Sequence, residues 1–141
     1  MKKSFKSGNN AYNKYLGDIG ENISANYLTN NGYQILEKNY RFSKLGEIDI
    51  IARDNEYICF VEVKTRIGNK YGVPSEAVNK NKQEKIKRLA NFYLINKGFL
   101  NENVRFDVIE ILIDHNNTIN SENIAEHYKI KDINLIKNAF Y

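Results

Sequence analysis

The fold of this chain is decided by two segments, Gly46-Glu47-Ile48-Asp49-Ile50-Ile51 and Ile58-Cys59-Phe60-Val61-Glu62-Val63-Lys64. Runs of isoleucine, valine and phenylalanine are typical of strands that are buried on both faces. The short gap between the segments predicts a hairpin, and Asp54-Asn55 suits a two-residue loop of type I′. That loop sets Asp49 opposite Phe60. Asp49 is then diagonal to Glu62 on one face, with roughly 7–8 Å between the backbones, a gap that one cation can bridge.

The second segment carries charge on a face where apolar side chains are expected. Because side chains alternate along a strand, Glu62 and Lys64 project on the same side as Phe60. One interpretation is an ordinary ion pair where the strand enters solvent, worth about 0–1 kcal/mol. The other is a functional site, since two acids and a lysine are costly to bury. The sequence leaves both open, because a one-residue slip in register would move Asp49 to the other face.

Composition indicates one globular domain. The 141 residues allow a sizeable core, and 42% hydrophobic with 12% aromatic content excludes a disordered chain. We expect a basic flexible tail over residues 1–11, a single domain over residues 12–141, and no membrane-spanning segment. The single cysteine, Cys59, cannot form an internal disulfide, which predicts a reducing, cytoplasmic setting. The net charge of +4 permits nucleic-acid binding but does not require it.

A helix is predicted before the hairpin, from about residue 11 to 31. It carries an apolar stripe, and Asn31-Gly32 is a good stop signal. Glu21 is at the edge of the buried face, while Gly17 and Gly20 allow a close approach to another backbone. Glu21 is therefore either a site residue or an ordinary carboxylate on a helix surface.

A second helix and two further strands complete the predicted fold. A strand is expected near residues 33–36, and a long helix over about 79–97 begins with a cluster of lysines. That cluster is either a solvated face or a phosphate-binding surface. The apolar run over residues 104–114 predicts a strand parallel to the one that contains Glu62, joined to it through the helix. The apolar pattern of residues 115–141 has no clear period and leaves their role open.

This order of elements resembles the core of the PD-(D/E)XK nucleases, which have the restriction-endonuclease-like fold. Over about residues 12–113 the chain resembles the YraN family of small bacterial proteins, which is related to that fold and to archaeal Holliday junction resolvases. The motifs that carry the resemblance are Gly17-x-x-Gly20-Glu21, Gly46-Glu47-Ile48-Asp49, Phe60-Val61-Glu62-Val63-Lys64-Thr65-Arg66, Lys82-Gln83 and Arg105-Phe106-Asp107. The resemblance implies an α/β fold with a mixed sheet, in the order α-β-β-β-α-β, flanked by helices.

The resemblance also implies a set of catalytic residues. Asp49 stands at the metal-binding aspartate of the family, Glu62 at its second acid and Lys64 at its lysine, while Glu21 matches the helix glutamate of the resolvase-like branch. Asp49 and Glu62 are thus expected to bind Mg²⁺ or Mn²⁺, which prefer oxygen ligands. The neighbouring acids are expected to hold Lys64 protonated, which favours an electrostatic role over that of a general base.

Four residues near this site are predicted to contact nucleic acid: Arg66, Lys70, Lys82 and Gln83. The first three are cations on segments that flank the acids. Gln83 resembles a helix glutamine of some nuclease relatives. Those relatives often carry a tyrosine four positions later, where this chain has Lys87, so the assignment of Gln83 is the weaker one.

These observations predict a metal-dependent nuclease-like protein that acts on DNA, with branched or flapped DNA preferred over plain duplex. The alternative is a nucleic-acid-binding module that keeps the fold but has little catalytic activity of its own. A third interpretation is an assembly protein in which Glu62 and Lys64 form only a buried ion pair. The expected partner is DNA, with no membrane, and a homodimer is compatible with each interpretation.

Overall fold

In the part of the chain that the structure describes, a five-stranded mixed sheet carries one helix on each of its faces. The computed structural model describes residues 2–68, 78–114 and 129–141. The elements are, in chain order, α1 (Lys2–Asn30), β1 (Gln34–Arg41), β2 (Glu47–Asp54), β3 (Tyr57–Ile67), α2 (Lys80–Lys97), β4 (Asn103–Ile113) and β5 (Ile130–Phe140). The strands lie in the order β1-β2-β3-β4-β5, with β3 and β4 parallel and the other neighbours antiparallel. The predicted restriction-endonuclease-like α/β class is confirmed.

The two faces of the sheet form two separate apolar cores, as the alternation of side chains along the strands requires. Against α2 pack Ile51, Ile58, Phe60 and Val108, with Ile86, Leu89, Ala90, Tyr93 and Leu94 of the helix. Against α1 pack Ile50, Ala52, Cys59, Val61, Ile109, Ile111 and Ile113, with Leu16, Ile23 and Leu28 of the helix. Burial raises the pKa of the Cys59 thiol to about 12, so this cysteine is a core residue and not a nucleophile.

The sequence correctly predicted where both helices end and where α2 begins, but not where α1 begins. Gly32 follows α1 with a φ of 89°, and Gly98 ends α2 with a φ of 71°, both in the left-handed region that glycine tolerates. Asn79 caps α2 by accepting a hydrogen bond from the Lys82 amide at 2.8 Å. The start of α1 near residue 11 was wrong, because the helix begins at Lys2. The segment before residue 11 lacks an apolar stripe but contains no proline that would end a helix.

The hairpin between β2 and β3 has a different register from the predicted one. Asp54 pairs with Tyr57, so the loop is Asn55-Glu56, and Asn55 takes the left-handed conformation with a φ of 53°. The pairing is displaced by two residues relative to the expectation. Because the side-chain period of a strand is two, such a displacement keeps Ile51 and Phe60 together on one face and Ala52 and Cys59 on the other, and the apolar pattern near the hairpin cannot detect it.

β5 is a strand that the sequence did not resolve. It pairs with β4, but the register shifts between Phe106 and Val108 and again between Leu112 and Ile113. Asn138, with a φ of 55°, lies in the first irregularity, and Phe140 then stacks on Phe106 at 5.1 Å. These bulges break the two-residue alternation, which explains the unclear apolar period of this segment.

The Arg105-Phe106-Asp107 motif has a structural role. Asp107 is fully buried on β4, and Arg105 donates hydrogen bonds to it, the shortest at 2.9 Å. Arg105 also donates to Asp54 at 3.0 Å and to the Tyr33 hydroxyl at 2.9 Å, while the Asn138 amide donates to Asp107 at 2.9 Å. The motif therefore ties together the hairpin, β4, β5 and the residue that precedes β1. No helix in the described part of the chain is long and apolar enough to cross a membrane.

Candidate functional site

The site forms where β2 and β3 separate. Their pairing ends at Ile50 with Val61, although β1 still pairs with β2 as far as Glu47 and β4 still pairs with β3 as far as Ile67. The sheet is therefore forked at this point. The carboxylate of Asp49 accepts a hydrogen bond from the Val63 amide at 2.8 Å. In this way Asp49 satisfies a backbone donor that the neighbouring strand no longer reaches.

Three carboxylates converge at the fork. Glu21 of α1 and Glu47 and Asp49 of β2 each offer one oxygen, and these oxygens lie within 4.8 Å of one another. The side chain of Asn39 donates to Glu21 and to Glu47, both at 2.9 Å. Arg41 donates to Glu47 at 2.6 Å. The Asn39 amide and the Arg41 guanidinium thus offset the repulsion between the carboxylates of Glu21 and Glu47.

Glu47 is a residue that sequence reasoning missed as a possible metal ligand. The prediction paired Asp49 with Glu62, whereas the structure brings one oxygen of Asp49 together with oxygens of Glu21 and Glu47. A signal was available, because Glu47 and Asp49 are two positions apart in one strand and such residues share a face. Glu21, which the sequence left as either a site residue or a surface carboxylate, is brought into this cluster.

The helix motif Gly17-x-x-Gly20-Glu21 explains how Glu21 reaches the strands. Gly20 is buried, and a β-carbon added there would lie 1.8 Å from Oγ1 and 3.0 Å from Cβ of Thr65 on β3. Only glycine therefore permits this contact between α1 and β3. At Gly17 an added β-carbon would have no neighbour within 4 Å among the described residues. Gly20 thus sets the distance at which Glu21 meets β2.

Glu62 is paired differently from the expectation. It is only 5% exposed, and its carboxylate forms an ion pair with Lys82 of α2. Burial alone would lower the pKa of Lys82, but the charge of Glu62 and its hydrogen bond outweigh burial and raise that pKa. Lys82, which was predicted to contact nucleic acid, therefore neutralises a buried acid at the edge of the site.

The pKa of Lys64 is lowered, although Glu62 and Asp49 both act to raise it. Burial is the main cause, the charge of Lys82 adds to it, and together they exceed the opposing effects of Glu62 and Asp49. The lowered pKa makes proton exchange by Lys64 easier than at an exposed lysine. The prediction that these acids hold Lys64 protonated stays a prediction.

The pKa values of Asp49 and Glu21 are raised, which favours the protonated forms of both acids. Burial, followed by the charge of Glu62, raises the pKa of Asp49 to about 7, against the hydrogen bond from Val63 and the charge of Lys82. Burial also raises the pKa of Glu21, opposed by its hydrogen bond from Asn39. Carboxyl groups held in this way are ready to exchange a proton for a cation.

An open pocket of about 350 Å³ gives access to this arrangement. Its lining comprises Asn13, Leu16, Gly17 and Glu21 of α1, Asp49 of β2, Glu62, Val63, Lys64 and Thr65 of β3, and Lys82 of α2. The four predicted catalytic residues thus share one pocket.

Among the described residues, those predicted to contact nucleic acid do not all line the pocket that the four predicted catalytic residues share. Arg66 is 3.4 Å from the buried carboxylate of Glu110, and the side chain of Gln83 donates to the Val78 carbonyl at 3.0 Å. Both are therefore engaged within the protein. Lys70 lies outside the described residues.

The motifs agree with the comparisons between the sequence of this chain and those of known proteins. The model of a family described as "Uncharacterised protein family UPF0102" matches residues 20–111. The chain belongs to the UPF0102 family. This is the YraN family that the motifs predicted, and the matched region includes all three acids of the cluster, together with Glu62 and Lys64.

Three UPF0102 relatives match almost the whole chain. A UPF0102 protein of Acetivibrio thermocellus is 47% identical over 135 residues, which are 96% of this chain and 98% of the relative. One of Clostridium botulinum (strain 657 / Type Ba4) is 54% identical over 129 residues, 91% and 95% of the two chains. One of Clostridium kluyveri is 48% identical over 130 residues, 92% and 97% of the two chains.

The donor set of the UPF0102 chain fits a hard divalent cation. Mg²⁺ takes oxygen ligands at about 2.1 Å in an octahedron, so opposite ligands are roughly 4 Å apart. The oxygens of Glu21, Glu47 and Asp49 lie within 4.8 Å of one another, so small side-chain movements would bring them to that spacing. The cluster contains no sulfur or imidazole ligand, which favours Mg²⁺ or Mn²⁺ over softer metals.

Proposed function

We propose that this protein is a metal-dependent nuclease-like protein that hydrolyses phosphodiester bonds in DNA, with branched or flapped DNA as the preferred substrate. The observation that carries the proposal is the convergence of Glu21, Glu47 and Asp49. Glu21 and Asp49 line an open pocket that Lys64 also lines. Phosphodiester hydrolysis needs a water nucleophile near neutral pH and neutralisation of the charge that grows on the phosphate oxygens. The pocket offers groups for both tasks.

A bound Mg²⁺ or Mn²⁺ would supply Lewis-acid activation of water and neutralise phosphate charge. Glu21, Glu47 and Asp49 would hold that cation. The hydrogen bond from Val63 fixes one oxygen of Asp49, so the carboxylate is oriented before any ligand arrives. Asn39 and Arg41 orient Glu47 in the same way.

Lys64 would act on the substrate itself. Its ammonium form can stabilise the charge that grows on the phosphate oxygens. Glu62 and Lys82 would not contact the substrate directly, because their charges are paired with each other at the edge of the pocket. The Lys82 ammonium would hold the Glu62 carboxylate in place.

The alternative is a nucleic-acid-binding module with little activity of its own. The specific observation in its favour is that Glu62, the predicted second metal ligand, is already paired with Lys82. The interpretation as an assembly protein assumed a Glu62–Lys64 pair, and the ion pair of Glu62 is instead made with Lys82.

A cleavage assay separates these functions. Wild-type protein is incubated with Mn²⁺ and with single-stranded, flapped, four-way and blunt duplex DNA, and Lys64→Ala is the matched variant. The nuclease proposal expects metal-dependent cleavage that Lys64→Ala reduces by roughly 10²–10³-fold, the scale of one positioned electrostatic group. Lys64→Ala should bind DNA as before. Binding without metal-dependent cleavage of any substrate would leave the binding module as the function.

A further inference from the structure

A second pocket adjoins the acidic one on the α2 side. It also has a volume of about 350 Å³, and Lys82 lines both pockets. Its lining includes Lys44 of the loop between β1 and β2, and Lys85 of α2, with Glu47 as its acid. The second pocket is therefore basic where the first is acidic. A phosphate next to the one at the acids would meet positive charge here.

A line of exposed residues on α2 continues from this pocket. Asn81, Lys85, Arg88 and Phe92 are four, three and four positions apart, so they lie along one face of the helix. The buried residues of α2 face the sheet on another side. At 1.5 Å per residue, Phe92 is roughly 15 Å along the helix from Lys82. The line thus runs from cations near the acidic site to an aromatic ring.

An exposed pair of stacked rings lies at the far end of this line. Phe42, in the loop between β1 and β2, stacks on Phe92 with ring centroids 4.3 Å apart and an interplanar angle of 22°. The two residues are 40% and 37% exposed. Lys44, in the same loop as Phe42, lines the basic pocket, and Arg88 precedes Phe92 by one helical turn.

The chemistry around the rings favours a nucleobase over a second protein chain as the occupant. At these exposures, two phenylalanines offer roughly 150 Å² of surface, far below the about 800 Å² per partner of a stable protein interface. A single base needs only one ring face, and stacking on aromatic rings is how proteins commonly hold unpaired bases. The cations beside the rings complement the phosphates of the same strand.

We propose that the Phe42–Phe92 pair is a stacking platform for an unpaired base of the DNA whose phosphate lies at the acidic pocket. The proposal rests on the function proposed above and names its substrate class: DNA with a single-stranded segment that reaches the rings, about 15 Å along α2 from Lys82 at the acidic pocket. Lys44, Lys85 and Arg88 contact the phosphates between the two points. Base pairing hides the faces of bases in blunt duplex, so the platform selects flapped or branched DNA.

The test measures binding in EDTA, so that it does not depend on cleavage. Fluorescence anisotropy gives the Kd for a duplex with a short thymidine flap and for the blunt duplex of the same length. Phe92→Leu keeps an apolar side chain but removes the ring, and is expected to weaken flap binding by roughly 5- to 100-fold while leaving blunt-duplex binding unchanged. Phe42→Leu, in a loop, should give the same result. Tyr141→Leu removes an exposed ring at the end of β5, the opposite edge of the sheet, and should change neither Kd.

A second measurement uses only the wild-type chain. A 5-iododeoxyuridine in the flap should crosslink under ultraviolet light to Phe42 or Phe92, identified by mass spectrometry of the peptides. Unchanged flap affinity in both leucine variants, crosslinks elsewhere, or no binding of the flap by wild type would each overturn the proposal. A dimer in sedimentation that dissociates in Phe92→Leu would also overturn it and assign this face to a second copy. If wild type binds the flap through these rings but shows no Mn²⁺-dependent cleavage, the nuclease proposal fails and the stacking proposal stands.

Discussion

Replacing Gly20 with alanine should destabilise the protein and loosen the acidic cluster. The added β-carbon would lie 1.8 Å from Oγ1 of Thr65, a distance that no side chain tolerates. Rotation of Thr65 about χ1 can move Oγ1 away. The Cβ of Thr65 stays at 3.0 Å, however, because it does not move with χ1. The helix must therefore shift away from β3, and Glu21 shifts with it.

The size of the effect follows from two opposing contributions. Overpacking a well-packed contact costs about 1–3 kcal/mol. Alanine in a helix is more favourable than glycine by about 0.5–1 kcal/mol. Gly20→Ala should therefore lower the free energy of unfolding by about 1–2 kcal/mol. Gly17→Ala meets nothing within 4 Å among the described residues and should raise it by up to about 1 kcal/mol.

Urea denaturation of the two alanine variants, followed by circular dichroism, measures this difference. The double variant Gly20→Ala with Thr65→Ala removes the closest contact and should recover part of the loss. Mn²⁺ affinity should fall in Gly20→Ala and not in Gly17→Ala, because only the first moves Glu21. Equal stability of the two single variants would refute the close contact between α1 and β3 as the device that positions Glu21.

Two further predictions concern charge at the site. The pKa of Asp49 is raised from 3.8 to about 7, so in EDTA the folded state keeps a proton that the unfolded state releases, and stability should fall as pH rises from about 4 through about 7. Asp49→Asn should flatten that fall in thermal melts recorded across this range, and an unchanged slope would contradict the burial of an ionisable Asp49. Lys82→Ala leaves the buried Glu62 unpaired and should cost about 1–3 kcal/mol, less than for a fully buried pair because Lys82 is 39% exposed. Lys64→Ala should cost much less, and the reverse order in denaturation experiments would show that Lys64 is the true partner of Glu62.

The main features of the fold could be predicted from sequence because they depend on short-range patterns. The apolar runs of β2, β3 and β4 and the stop signals of α1 and α2 are local. The register of the hairpin was not accessible, since pairings that differ by two residues bury the same faces. The turn alone distinguishes them, and both Asp54-Asn55 and Asn55-Glu56 are plausible loops.

The candidate site was predictable in part for the same reason. Asp49, Glu62 and Lys64 follow from strand alternation, and Glu21 from the motif around Gly20. Which acids converge also depends on where β2 and β3 separate, and that position leaves no local signal in the sequence. The ion pair of Glu62 with Lys82 joins a strand to a helix that is distant in sequence, so its existence depends on tertiary packing.

Isothermal titration of Mn²⁺ into wild type, Asp49→Asn and Glu62→Gln shows whether Glu21, Glu47 and Asp49 form one divalent-cation site. We expect wild type to bind Mn²⁺, Asp49→Asn to lose this binding and Glu62→Gln to retain it, because Glu62 is paired with Lys82. Equal Mn²⁺ binding by wild type and Asp49→Asn, or loss of binding only in Glu62→Gln, would contradict this expectation.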